Sequence, residues 1–158
     1  MRVWTVWFLV SALNVPFVPQ AKDTCGAASL AMVIRYWGGE VAHDEIAREL
    51  LAAELHGIPG SRLAEFARAR GFEAFTYKGD LAQLRDFVAK GRPLIVAWGL
   101  GRDRFHNVVV VGVEDEGGAV IVNDPARGPG RRISQGTFDK RWAKADYWTL
   151  LVMRGGKP

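Results

Sequence analysis

FHNVVVVGVEDEGGAVIVNDP, residues 105–125, reads as two strands and the turn between them. Val108 to Val111 with Val113, and then Val120 to Val122, are runs that suit a pleated, buried surface. Glu116-Gly117-Gly118 supplies the flexible residues a hairpin turn needs. Strands joined by so short a turn run antiparallel. A turn centred on Gly117 sets Asp124 opposite Val110, and a slip of a few residues brings Asp124 beside His106.

The surroundings extend this pattern. PLIVAWGL (Pro93–Leu100) is a buried strand, a short helix is expected around Gly136–Trp142, and YWTLLVM (Tyr147–Met153) forms a last strand. Before Gly91 the periodicity is mostly helical. Leu30, Val33, Ile34 and Trp37 recur at three- and four-residue steps, predicting a helix from about Cys25 to Trp37, capped by Asp23 or Thr24 and ended by Gly38-Gly39. A second helix is expected over His43–Leu55 with Ile46, Leu50 and Leu51 inward, a third over Ser61–Arg70, and a fourth over Leu81–Lys90 capped by Asp80. Glu73–Tyr77 alternates like a short strand. The fold class is therefore α+β, a helical N-terminal half packed on an antiparallel sheet from the C-terminal half in two layers. The cleft between the halves is the natural place for a site.

Composition narrows the function classes. With 158 residues, 49% apolar and 24% charged, the chain is an ordinary globular domain rather than a disordered one. A net charge of +4 with scattered basic residues, and no aromatic platform beside Arg127, Arg131 and Arg132, reads as a solvated surface rather than a nucleic-acid site. One cysteine forms no internal disulfide, and His43, His56 and His106 lack zinc-site spacing, so neither a metal nor another cofactor is expected. No GxxxxGK[ST] loop is present, so no ATP site is expected.

Residues 1–14 fit two readings. Val3–Leu13 is an apolar run of eleven residues, too short to span a bilayer core of roughly 30 Å. It matches a signal-peptide core with Val10-Ser11-Ala12 as cleavage site, which implies export or membrane association. Alternatively it is an N-terminal strand or packing arm, which leaves a cytoplasmic location open. Residues 15–154 then form one domain and 155–158 a tail.

The chemistry gathers at VPQAKDTCGAASLAMV (Val18–Val33) and at the hairpin. A thiol starting a helix feels unpaired amides and the positive end of the helix dipole, which favour a thiolate. Read alone, Cys25 fits a small buried hydrophobe better than a nucleophile. His106 at the mouth of a strand and Asp124 at the end of the next complete a nucleophile, base and orienter set. Gln20, five residues before Cys25, can donate its amide to an oxyanion beside the Cys25 N–H. Gly26 would let a substrate backbone approach closely.

PQAKDTCGAASLAMVIRYWG (Pro19–Gly38), HNVVVVGV (His106–Val113) and VNDPARG (Val122–Gly128), followed by Phe138 and Trp142, together resemble the bacteriocin-processing, double-glycine cysteine peptidases. These are papain-like domains found in front of exporting ABC transporters and as free-standing bacterial proteins. The resemblance spans roughly Val15–Val152. It implies Cys25 as nucleophile, His106 as base, Asp124 as orienter and Gln20 as oxyanion donor. It further implies a peptide or protein substrate with small residues before the cut, and any ATP-driven exporter as a separate polypeptide. The step from Gln20 to Cys25 is one residue shorter than is common in transporter-fused members. Trp98 and GLGRDRF (Gly99–Phe105) are candidates to line a narrow subsite. Two other readings use the same scaffold: a non-catalytic peptide-binding module, and a thiol-dependent transpeptidase or amidase.

Overall fold

The computed structural model describes residues 12–51, 57–115 and 117–156. The first eleven residues, which carry most of the signal-peptide reading, lie outside them, as do His56 and the predicted C-terminal end of the second helix. The elements run α1 (Cys25–Tyr36), α2 (His43–Leu50), α3 (Gly60–Ala69), β1 (Phe72–Lys78), α4 (Leu81–Ala89), β2 (Leu94–Gly101), β3 (Arg104–Val113), β4 (Ala119–Asp124), β5 (Gly128–Ser134), α5 (Gln135–Ala143) and β6 (Trp148–Arg154). The strands form one antiparallel sheet in the order β1-β6-β2-β3-β4-β5. This is the α+β, papain-like architecture that the sequence implies.

The sheet is covered on both faces, so the expected two layers become three. Ile95, Val109, Val111, Leu150 and Val152 point to one face and pack with Leu30, Ile34, Ile46, Leu63 and Phe66 from α1, α2 and α3. Leu94, Val96, Val108, Val110 and Leu151 point to the other and pack with Leu84, Phe138 and Trp142 from α4 and α5. A strand buried on both faces cannot alternate with polar residues. That is why β2 and β3 read as continuous aliphatic runs.

Strand β5 is absent from the sequence reading. GPGRRIS has two glycines, a proline and two arginines and only one apolar residue, and it is mostly exposed. It lies at the edge of the sheet, where little side-chain burial is required and charged residues discourage further pairing. Two smaller expectations also fail. Leu51 is exposed, because the chain leaves helical geometry there and turns it off the apolar side of α2. Thr24 occupies the N-cap position of α1 but caps nothing with its side chain. The Asp80 cap is present, its carboxylate accepting from Gln83 N–H at 2.9 Å. Gly38, at φ +84°, takes the left-handed turn that ends α1, and Gly39 N–H returns to Ile34 O at 2.9 Å.

The hairpin register decides what meets what. Val122, not Asp124, lies opposite Val110, and Asn123 lies opposite Val109. A bulge between Val110 and Gly112 shifts the register, since one extra residue on β3 reverses which side chains face which layer. The shift draws the end of β4 toward the start of β3, where His106 sits.

Candidate active site

Cys25 is the first residue of α1, and its thiol reaches across to the sheet. Asn107 N–H donates to Cys25 Sγ at 3.4 Å, and Asn107 Oδ1 stands 3.7 Å from the same sulfur. Gly26 does not face the cleft: a Cβ there would meet Leu63 at 3.2 Å and Asn107 Oδ1 at 3.5 Å. Its smallness lets α1 pack closely against α3 and β3 rather than serving a substrate.

His106 pairs with Trp98 across the β2–β3 ladder, and the two rings lie 5.9 Å apart. Its Nε2 meets Asp124 Oδ1 at 2.7 Å, and both side chains are almost wholly buried. Asp124 Oδ1 also accepts from Ala126 N–H at 2.9 Å, which fixes the carboxylate independently of the histidine. Burial opposes charge on His106, but hydrogen bonds to Asp124 and Cys25, and the charges of both, outweigh it and push the imidazole up to about 9. Burial likewise opposes charge on Asp124, but His106, the Ala126 amide and Arg127 more than offset it and hold the carboxyl below its ordinary value. With Nε2 committed to Asp124, Nδ1 is the nitrogen left for the thiol.

Gln20 enters from the loop before α1. Its N–H donates to Pro125 O at 3.0 Å, so the loop is anchored next to Asp124. Its side-chain Oε1 is buried without a partner, a condition that costs about 1–3 kcal/mol and calls for a reason.

Cys25, His106 and Gln20 line one cleft of about 640 Å³. Gly57, Ile58 and Pro59 also line it, as do Leu100, Asp103, Arg104 and Phe105. Leu100 and Phe105 are among the most exposed large apolar residues described. Trp98 is not part of that lining. It is 3% exposed, packed behind His106 against Phe138. The structure thus brings Gln20, Cys25 and His106 together, with Asp124 behind the histidine. Asn107 was missed by the sequence reading. The available signal was a polar residue inside an otherwise aliphatic run, next to the candidate base.

On this papain-like scaffold a thiol and an imidazole line an open cleft, with a carboxylate behind the imidazole. The Peptidase_C39 like family matches residues 12–149, and the chain belongs to that family. Among solved structures it is similar to a double glycine motif protease from an AMS/PCAT transporter in complex with the leader peptide. That pair shares 27% identity at a TM-score of 0.74, with 91% of this chain and 94% of that chain covered. The peptidase domain of Streptococcus ComA, a bifunctional ABC transporter involved in a quorum sensing pathway, aligns at 24% identity and a TM-score of 0.75, over 89% of this chain and 99% of that one. A protein described as a C39-like peptidase from Bacillus anthracis aligns at 19% identity and 0.74, over 94% and 98%. These last two likenesses establish the fold. None of the curated proteins searched matches the sequence. Among the described residues no helix is long and apolar enough to cross a membrane.

Proposed function

We propose that this protein is a cysteine peptidase that cuts a peptide or leader after small, Gly-Gly-like residues. In this reading Cys25 is the nucleophile, His106 the base, Asp124 the orienter and Gln20 the oxyanion donor. One observation carries it: the buried line from Asp124 through His106 to Cys25, ending at the floor of an open cleft.

Cys25 passes its thiol proton to His106, Sγ attacks the scissile carbonyl carbon, and the carbonyl oxygen takes the electron pair. The Cys25 N–H and the Gln20 amide donate to that oxyanion. The intermediate collapses, the C–N bond breaks, and the leaving amine takes a proton from His106. An imidazole held protonated well above neutral pH is suited to that donation. The now neutral His106 removes a proton from water, whose oxygen attacks the thioester. The acid departs and Cys25 is regenerated. Similarity to a double glycine motif protease bound to a leader peptide supports the substrate class. An ABC-type exporter, and a place at the membrane beside it, are the partner and location that this reading proposes.

The test pairs chemistry with cleavage. A peptide library read by mass spectrometry should yield products ending in small residues, and iodoacetamide should alkylate Cys25 faster in the wild type than in His106→Ala. Equal alkylation rates with no cleavage would instead favour a peptide-binding module. Products joined to an added amine would show a transpeptidase.

A further inference from the structure

His43 opens α2, outside the cleft, yet it reaches the loop that carries the site. Its Nε2 lies 2.7 Å from Thr24 Oγ1, and Asp44 Oδ1 lies 2.9 Å from its Nδ1. Thr24 is the residue immediately before Cys25 and is 4% exposed. A threonine at an N-cap ordinarily accepts from an N–H of the first helical turn. Here no such bond exists. The hydroxyl instead accepts from Ala21 N–H and donates to Ala21 O, each at 2.9 Å, closing the turn that follows Gln20.

The consequences fall on the oxyanion side of the cleft. Because Thr24 is turned back toward Ala21, its side chain does not occupy the N–H groups that the first turn of α1 leaves unpaired. The turn itself needs holding. Asp23 has φ +58°, the left-handed region that a non-glycine residue enters at a cost. One end of the loop is tied by Gln20 N–H to Pro125 O. The other end is tied through Thr24 to His43. The core of α2 is supplied by Ile46 and Leu50 rather than by His43, so the imidazole serves the loop more than the fold.

We propose that His43 is a positioning residue: through Thr24 it holds the Gln20–Thr24 turn in the shape that presents the Gln20 amide and the Cys25 N–H to the oxyanion. The role presupposes the peptidase reading above. It also separates two reactions of the same sulfur. Acylation by p-nitrophenyl acetate passes through a tetrahedral oxyanion before p-nitrophenolate leaves, whereas displacement of iodide from iodoacetamide does not.

The experiment measures both rates on the intact protein. In His43→Ala, acylation should fall about 10- to 100-fold, a part of the loss caused by deleting an oxyanion donor outright, while alkylation holds within about twofold. His43→Gln, whose amide can still donate to Thr24, should keep both rates. Should His43→Ala lose its helical circular dichroism, Thr24→Val against Thr24→Ser gives the same contrast, with only the valine variant losing acylation. Wild-type acylation in His43→Ala, a parallel loss of both rates, or a His43→Gln variant no better than alanine overturns the role. Failure of the peptidase reading looks different: His106→Ala would leave both rates of the otherwise unaltered protein unchanged.

Discussion

Among the described residues, two aspartate–histidine pairs have nearly the same length, 2.7 Å for Asp124–His106 and 2.9 Å for Asp44–His43. They differ in what surrounds the carboxylate. The Asp124 side chain is 4% exposed and held by a backbone amide as well as by its histidine, whereas that of Asp44 is 82% exposed. Water screens the second pair, so its electrostatic worth is small. In the first pair the charges face each other where both side chains are mostly shielded from water, and the imidazole is displaced far from its ordinary value. The same contact therefore does different work. At Asp124 it sets a charge; at Asp44 it steadies a ring whose useful bond lies on the other side, to Thr24.

The largest break in this comparison comes from deleting each ring. His106→Ala should lower peptide cleavage by at least about a thousandfold, because nucleophile and base act as a unit. It should slow alkylation as well, which His43→Ala should not. Asp124→Asn comes next, with a loss on the order of a thousandfold in cleavage, since the amide neither supports imidazolium charge nor enforces the tautomer.

Asp124→Asn also has a stability signature. His106 is raised to about 9 in the folded protein against an ordinary 6.5, so its contribution is complete below pH 6.5 and disappears as the pH rises through about 9. The full span is worth about 3 kcal/mol. Asp124 works at the other end: its lowered value gives stability that is present above pH 3.8 and lost as the pH falls through the folded value. Thermal melts of the wild type should therefore drop between pH 6.5 and 9 and again in acid. Asp124→Asn should flatten both slopes. A variant that keeps the alkaline slope would mean that Cys25 alone holds the His106 charge.

Gln20→Ala gives a smaller effect, about a hundredfold in cleavage and in p-nitrophenyl acetate acylation, with alkylation unchanged. It is the reference for His43→Ala, because both act on the oxyanion side. If Gln20→Ala leaves acylation untouched, the shorter step from Gln20 to Cys25 has put the amide out of reach.

Much of this site was legible in the sequence because its members sit at element boundaries that are themselves legible. Cys25 begins an amphipathic helix, His106 begins a valine run, and Asp124 ends the partner strand, so topology alone brings the chain near each of them. The bulge between Val110 and Gly112 was not legible. Nothing in a string of valines marks where an extra residue enters the ladder, yet that residue sets which side chains share a face. Strand β5 was hidden for the opposite reason, an edge strand with little to bury. His43 was weighed only as a metal ligand. Its true partner, Thr24, lies on a different element, and the N-cap position gave that threonine an ordinary explanation which the structure replaces.

The smallest expected effect sharpens the comparison most. Asp44→Asn removes a charge but keeps an amide that can pair with His43 Nδ1 as donor or acceptor. If Asp44 serves mainly to orient that ring, acylation and alkylation should both change by less than about twofold, as expected for an exposed, screened pair. The melting temperature should stay within about 2 °C of wild type at pH 7. Asp124→Asn, the same exchange at a buried pair, should be crippling under the same assay. A matching loss in Asp44→Asn would mean that the charge on Asp44, rather than the bond from His43 to Thr24, controls the loop. The two pairs would then differ only in their distance from the sulfur, and burial would no longer explain why one is central and the other auxiliary.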